Sequence, residues 1–207
     1  MPSVPVRVRP ATPADHAAPL LYLSAAGYYD RFAGSMRDAE RVLAALWPSP
    51  GHTASWEVCL VAERDERPVG VLASFPVAGV DSRVRRFLAL AVPRVRPWHW
   101  PGMVAHLRAA GRVSPVPPPA AWYVDALAVA PDARRSGVAT ALIDAAAERA
   151  AERGARALAL DTGLENTGAQ RFYLAAGFQE RARTRTPSER ISRALGGTGF
   201  VSYVRTL

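Results

Sequence analysis

An apolar run over residues 122–129, interrupted only by Asp125, passes through Ala130-Pro131-Asp132-Ala133-Arg134-Arg135-Ser136-Gly137 into an Ala-rich stretch that ends at Arg153 and Gly154. A second short apolar run over residues 157–162 follows at once. No other feature constrains the fold as much. Two such runs joined by about five helical turns read as strand, crossover helix and strand, so the strands must be parallel and the crossover right-handed. Gly154 has the position and type of the residue that follows a helix C-cap. At the other end of the helix, Gly137 lets backbone N–H groups approach an anion. The unpaired amides and dipole of a first helical turn attract phosphate. A pyrophosphate-bearing ligand is therefore expected at residues 134–140.

The rest of the chain supplies further strands and helices. Residues 6–9 alternate Val and Arg as a short half-buried strand, and Thr12 is expected to cap a helix whose first residue is Pro13, with Ala17, Leu20, Leu21 and Ser24 on one face. A second helix is expected over residues 36–47, with Tyr28, Tyr29 and Phe32 between the two. Residues 56–63 and 68–75 read as an antiparallel hairpin with the charged turn 64–67, and Gly70 as a bulge or a close-packing site. Two helices, about 82–91 and 101–110, flank a Pro- and Trp-rich linker, and the Pro-rich stretch 114–119 leads back to strand 122–129. Asn166 or Thr167 starts a helix, with Thr167 to Gln170 fitting a capping box, and Gly177 ends it; strands over residues 178–185 and 199–206 close the chain.

At 207 residues with 49% hydrophobic and 21% charged composition, the chain can bury a core without disulfides, and wholesale disorder is excluded. The lone Cys59 sits in Glu57-Val58-Cys59-Leu60-Val61-Ala62 and reads as a buried, inert thiol. The N-terminal residues contain no apolar signal core, and the longest apolar run, residues 87–93, is too short to span a bilayer, so a cytoplasmic protein is expected. The formal charge is +8 and all 26 basic residues are arginines. Such a balance suits nucleic acid, an anionic membrane or an acidic ligand, but the arginines are spread along the chain and accompany Ala, Pro and Gly in the manner of a GC-rich coding bias. His99 and His106 are expected at the surface, and no spacing of His, Cys and acids suggests a metal site.

The turn Arg134-Arg135-Ser136-Gly137-Val138-Ala139 fits the pattern Q/R-x-x-G-x-G/A. Leu127-Ala128-Val129-Ala130-Pro131 precedes it, and Asn166-x-x-Ala169-x-x-Phe172-Tyr173-x-x-x-Gly177-Phe178 follows. With these, the segment 122–178 resembles the GNAT (Gcn5-related N-acetyltransferase) superfamily. Ser136 and Ala139 depart from the commonest residues of that turn, and residues 80–119 are an added stretch. A Walker lysine and a full G-x-G-x-x-G are both absent from this turn, which removes two rival phosphate patterns.

The resemblance implies an α/β (α+β mixed sheet) GNAT acyl-CoA N-acyltransferase fold in one domain over residues 1–207. The helical insertion at about 80–119 would lie between the third and fourth strands. It implies acetyl-CoA as co-substrate and no metal. Amides of Arg135, Ser136, Gly137, Val138, Ala139 and Thr140 would cradle the pyrophosphate, with Arg134 and Arg135 adding charge. Free backbone groups near Leu127 and Val129 would pair with the pantetheine arm as an added strand, and Asn166 would bond that arm, cap its own helix, or both. Tyr173 corresponds to the family's donor to the departing sulfur, or is a core aromatic beside Phe172. A phenol near 10 is a weaker acid than a thiol near 8.5, so full proton transfer is uphill by about 2 kcal/mol and hydrogen bonding to the sulfur is expected first. Asp125, on one strand face with Tyr123, Leu127 and Val129, would bind the acceptor amine, accept its proton through water, or pair structurally with an arginine.

The activity implied is transfer of acetyl from acetyl-CoA to a primary amine of a small molecule or peptide by direct attack on the thioester, with a homodimer allowed and neither nucleic acid nor membrane as a partner. The alternatives are a catalytically silent CoA-binding regulatory module and a basic nucleic-acid-binding protein. The acceptor side is expected to draw on Tyr28, Tyr29, Phe32, Trp98, His99, Trp100, His106, Arg190, Phe200 and Tyr203.

Overall fold

The computed structural model describes residues 6–207; Met1 to Pro5, and with them the start of the N-terminal reading, lie outside the described residues. The chain opens with β1 (Arg7–Pro10), then three helices, α1 (Ala18–Ser24), α2 (Ala26–Ala33) and α3 (Met36–Leu46). A hairpin follows, β2 (Cys59–Arg64) and β3 (Arg67–Pro76), whose turn residues Asp65 and Glu66 both have positive φ, as a two-residue hairpin loop of this twist demands. Helices α4 (Val80–Ala91) and α5 (Trp100–Val113) are the insertion between the third and fourth strands. The expected crossover is β4 (Trp122–Val129), α6 (Val138–Glu152) and β5 (Ala157–Gly163), and the chain closes with α7 (Thr167–Ala175), β6 (Gln179–Arg185), α8 (Glu189–Leu195) and β7 (Gly199–Thr206).

The strands form one mixed sheet of order β1-β2-β3-β4-β5-β7-β6, in which only β4 and β5 run parallel. Strand alternation divides the core. Val61, Val71, Ala73 and Phe75 face α1 to α4, while Leu60, Ala62 and Leu72 face Val138, Leu142 and Ile143 of α6. A satellite cluster joins Ala109, Ala110 and Val113 of α5 to Ile191 and Leu195 of α8.

Several expectations need correction. Helix α1 starts at Ala18, with Pro19 in its first turn, and not at Pro13. Residues 12–15 instead form a turn held by Asp15, whose carboxylate accepts from the Thr12 N–H at 2.6 Å and its hydroxyl at 3.0 Å. Arg9 also donates to that carboxylate through both terminal nitrogens, at 2.9 and 2.7 Å. Tyr28, Tyr29 and Phe32 belong to a helix of their own, α2, and α8 fills the stretch before β7. Gln170 does not complete a capping box: its amide donates to the Gly163 and Leu164 carbonyls.

Gly70 is a close-packing site. A Cβ there would lie 2.7 Å from Val138 Cγ1 and 3.0 Å from Leu142 Cδ1, so α6 rests directly on the β3 backbone. Gly70→Ala is expected to push α6 away at about 1–3 kcal/mol, read as a lower melting temperature; an unchanged melt would mean that the helix has room to move.

Candidate functional site

The register of β3 with β4 passes from Ala73↔Ala126 to Ser74↔Val124, so Asp125 is the extra residue of a bulge. A bulge breaks period-two alternation and bends the strand. Trp122 and Val124 accordingly pack toward α6, whereas Ala126 and Ala128 pack toward α1 to α3. The expected common face for Tyr123, Asp125, Leu127 and Val129 therefore does not exist. Tyr123 packs on the α1 side, and Leu127 and Val129 on the α6 side.

The same bend parts β4 from β5. They pair at Trp122↔Leu158 and Tyr123↔Ala159 only, although both strands continue for several residues. Between them opens a cavity of about 70 Å³ lined by Ser24 of α1, residues 124–127 of β4, Asp161 and Thr162 of β5, and Asn166, Ala169 and Tyr173. Asp125 lines this cavity and is exposed to solvent, while protein atoms crowd around its carboxyl.

Burial, reinforced by the charge of Asp161, pushes the Asp125 carboxyl up to about 7. Burial also lifts Asp161 to about 6, against the pull of the Tyr123 hydroxyl, which donates a short hydrogen bond to Asp161 Oδ1. Asp161 is the site residue that the sequence reading missed. Its signal was present: a carboxylate near the end of an otherwise apolar strand, the same signal that drew attention to Asp125.

Tyr173 is 8% exposed and packs among Phe172, Phe178 and Tyr203, with ring centroids 5.5 to 5.9 Å away. Burial, then the charge of Asp161, raises its pKa, so its hydroxyl holds its proton and is suited to donating a hydrogen bond. Asn166 caps α7, its Oδ1 accepting from the Ala169 N–H at 3.2 Å, and its Nδ2 donates to Thr162 Oγ1 at 3.3 Å.

Beyond the end of β4 lies the turn. Arg135 and Gly137 have φ of 58° and 82°, and Gly137 is the N-cap of α6 with no side-chain cap, so the amides of Val138, Ala139 and Thr140 are left without one. The Gly137 carbonyl accepts the first helical bond from the Ala141 N–H at 3.0 Å. Arg134 folds back, its Nε donating to the Val129 carbonyl at 3.3 Å; that carbonyl is thus engaged by a side chain. The Ser136 hydroxyl donates to the Ala133 carbonyl at 2.7 Å and accepts from Arg64 Nη2 at 3.1 Å, which ties the turn to the β2–β3 hairpin. Arg135 is exposed and has no ion-pair partner among the described residues.

The residues expected on the acceptor side scatter. Tyr28 and Tyr29 stand close enough to Asp125 for its charge to hold their hydroxyl protons more tightly, burial being the larger cause. Phe32 and Tyr203 are core residues, and Trp98, Trp100 and Arg190 are exposed. Phe200 packs against the α5–α8 cluster, and His99 lies against Gly34. His106 is not at the surface: it is 1% exposed, with Nδ1 at 3.1 Å from the Ala194 carbonyl and Tyr28 stacked edge-on at 4.4 Å. Cys59 is free and fully buried. Among the described residues no helix is long and apolar enough to cross a membrane, and no group of three His, Cys, Asp or Glu is placed to hold a metal ion.

Known proteins share parts of this sequence and its fold. An uncharacterised N-acetyltransferase of Methanocaldococcus jannaschii is 49% identical over 53 residues, 26% of this chain and 24% of that one. The type 1 aminoglycoside N(6')-acetyltransferase of Klebsiella aerogenes is 45% identical over 64 residues, 31% of this chain and 39% of that one. The matches thus span well under half the length of either curated relative. The crystal structure of an N-acetyltransferase from Staphylococcus aureus Mu50 superposes with a TM-score of 0.67 over 96% of this chain and 99% of its own, at 14% identity, and so has the same fold. The family model of GNAT acetyltransferases matches residues 26–178, well over half of the chain and all of the cleft but Ser24, so the protein belongs to the GNAT family.

Proposed function

We propose that the protein is an N-acetyltransferase that moves an acetyl group from acetyl-CoA to a primary amine of a small molecule or peptide. One observation carries the reading: the bulge at Asp125 opens β4 from β5 over a cleft holding Asp125 and Tyr173, and an uncapped helix start stands beyond the end of the same strand. The residues fit coenzyme A. Free amides at 138–140 and the Arg135 guanidinium suit phosphate, while the unpaired edge of β4 near Leu127 and the Asn166 amide suit the peptide-like pantetheine arm. Arg134, by holding the Val129 carbonyl, shapes the turn. Bound there, acetyl-CoA supplies the activated acetyl group.

Asp125 takes a proton from the acceptor ammonium, for which a carboxyl near 7 is well matched at neutral pH. The freed nitrogen lone pair forms the new C–N bond, the C–S bond breaks, and its electron pair leaves on sulfur. Tyr173 donates a hydrogen bond to that sulfur, and the proton that the newly bonded nitrogen sheds passes to the sulfur, which ends as the thiol. An amine acceptor agrees with the name of the aminoglycoside N(6')-acetyltransferase relative.

Tyr173→Phe is expected to lower thiol release with a panel of amines by about 10²-fold while acetyl-CoA affinity stays the same. If the unaltered protein binds acetyl-CoA but releases no thiol with any amine, the non-catalytic CoA-binding module is the correct reading.

A further inference from the structure

Ten residues line the cleft, two of them carboxylates and none of them Arg or His, in a chain of formal charge +8. Three other sheltered acids of this chain are paired with arginines. Asp15 meets Arg9 at 2.7 Å, Asp38 meets Arg41 and Arg96 at 3.1 Å each, and Glu57 meets Arg83 at 2.6 Å. Asp125 and Asp161 have no such partner among the described residues, although the chain holds 26 arginines. Two like charges confined together without a counter-ion oppose folding, so a cation supplied from outside would relieve them.

Nor is the pair an isolated acidic patch. The Tyr173 hydroxyl, on a side chain 8% exposed, lines the same cleft and makes no hydrogen bond among the described residues. Asp161 is oriented as well as unpaired. Its Oδ1 accepts from Tyr123, which leaves Oδ2 without a partner among the described residues, and a carboxylate oxygen keeps acceptor capacity for N–H donors. The other titratable groups facing the pair are Tyr28 and Tyr29 from α2, Cys59 from β2 and Tyr173 from α7, all neutral at physiological pH.

We propose that Asp161, anchored by Tyr123, is a specificity-determining cation subsite beside Asp125, so that the preferred acceptor carries two ammonium groups, one reacting at Asp125 and the other held by Asp161. This rests on the N-acetyltransferase reading and narrows its substrate class from amines to diamines and polyamines. A charge-assisted hydrogen bond in such a site discriminates strongly against an acceptor that leaves the carboxylate unpaired.

The test compares a linear alkyl monoamine, the α,ω-diamine of equal chain length and the matching amino alcohol, in the unaltered protein and in Asp161→Asn. The kcat/KM ratio of diamine to monoamine is expected to be tenfold or more in the unaltered protein, with the amino alcohol near the monoamine. Asp161→Asn is expected to lower that ratio by tenfold or more, and Asp161→Glu to recover part of it. Calorimetry with the diamine and the monoamine gives a second readout that needs no turnover, and a thermal melt of Asp161→Asn shows that it is folded. A ratio near one in the unaltered protein, by turnover and by binding, overturns the subsite; so does a ratio that Asp161→Asn leaves unchanged. Failure of the N-acetyltransferase reading is distinguishable, because it shows as no acetyl-CoA binding and no thiol release with any of the amines, whereas diamine binding that depends on Asp161 would still uphold the subsite.

Discussion

Replacing Gly137 by Glu is expected to abolish acetyl-CoA binding while leaving the protein folded. The glycine is not required for packing, since a Cβ built on it meets no atom within 4 Å. It is required for its backbone, with φ at +82°, and for the open space over the first turn of α6. A non-glycine residue held in the left-handed region costs about 1–2 kcal/mol, small against a usual stability of about 5–15 kcal/mol. A carboxylate at a helix N-terminus also interacts favourably with the dipole and recovers part of that cost. The effect on ligand is of another order. The glutamate places a negative charge and a side chain at the amides proposed to hold the pyrophosphate, so a loss of at least about 100-fold in affinity is expected, equivalent to about 2.7 kcal/mol. Gly137→Ala separates the two contributions, because it carries the backbone cost without the charge and is expected to bind several-fold more weakly only. Calorimetric titration of both variants with acetyl-CoA decides the matter; unchanged affinity in Gly137→Glu would place the phosphates elsewhere.

The crossover was legible in the sequence because its signals are local and periodic. Two apolar runs, a helix-length stretch between them and Gly154 at φ 77° each report on their own neighbourhood. What escaped depends on partners distant in sequence. The bulge at Asp125 exists only relative to Ala73 and Ser74 of β3, so strict alternation put Tyr123 and Leu127 on one face when they lie on two. Thr12 and Pro13 carry the composition of a helix start, but Arg9 and Asp15 bind each other and fix the segment as a turn. His106 was expected at the surface, and no local signal marks its burial; the packing of α5 on α8 buries it and gives it the Ala194 carbonyl. Asp161 lay in plain view in its strand, yet its importance came from the splay that sets it across from Asp125.

Asp125→Asn is expected to lower kcat/KM by about 10²- to 10⁴-fold at neutral pH and, at the same pH, to raise thermal stability. Both effects follow from one property, a carboxyl raised to about 7 by burial and by Asp161. For activity, Asp125 must be unprotonated to accept the amine's proton, so kcat/KM of the unaltered protein falls as pH drops through about 7, and the variant loses that limb. For stability the sign runs the other way. Between the ordinary carboxylate value of 3.8 and about 7 the folded chain holds a proton that the unfolded chain has released. The contribution of Asp125 is therefore fully present below the lower value and is lost as pH rises through the upper one. Asparagine stays neutral throughout and removes that loss. Because solvent reaches the residue and screens the effect, the gain is expected within the range of roughly 0.5–2 kcal/mol common to single stabilising substitutions, which corresponds to about 1–8 °C for a chain of this size. The gain should be present at pH 8 and vanish towards pH 4. The arginine pair that the sequence also allowed for this acid is not formed among the described residues, and these paired measurements test that independently. A structural ion pair with an arginine would make Asp125→Asn less stable at pH 8, since removing one partner leaves the other buried and uncompensated. Lost activity with a higher melting temperature at pH 8 identifies a carboxylate held at an energetic cost for the sake of the acceptor.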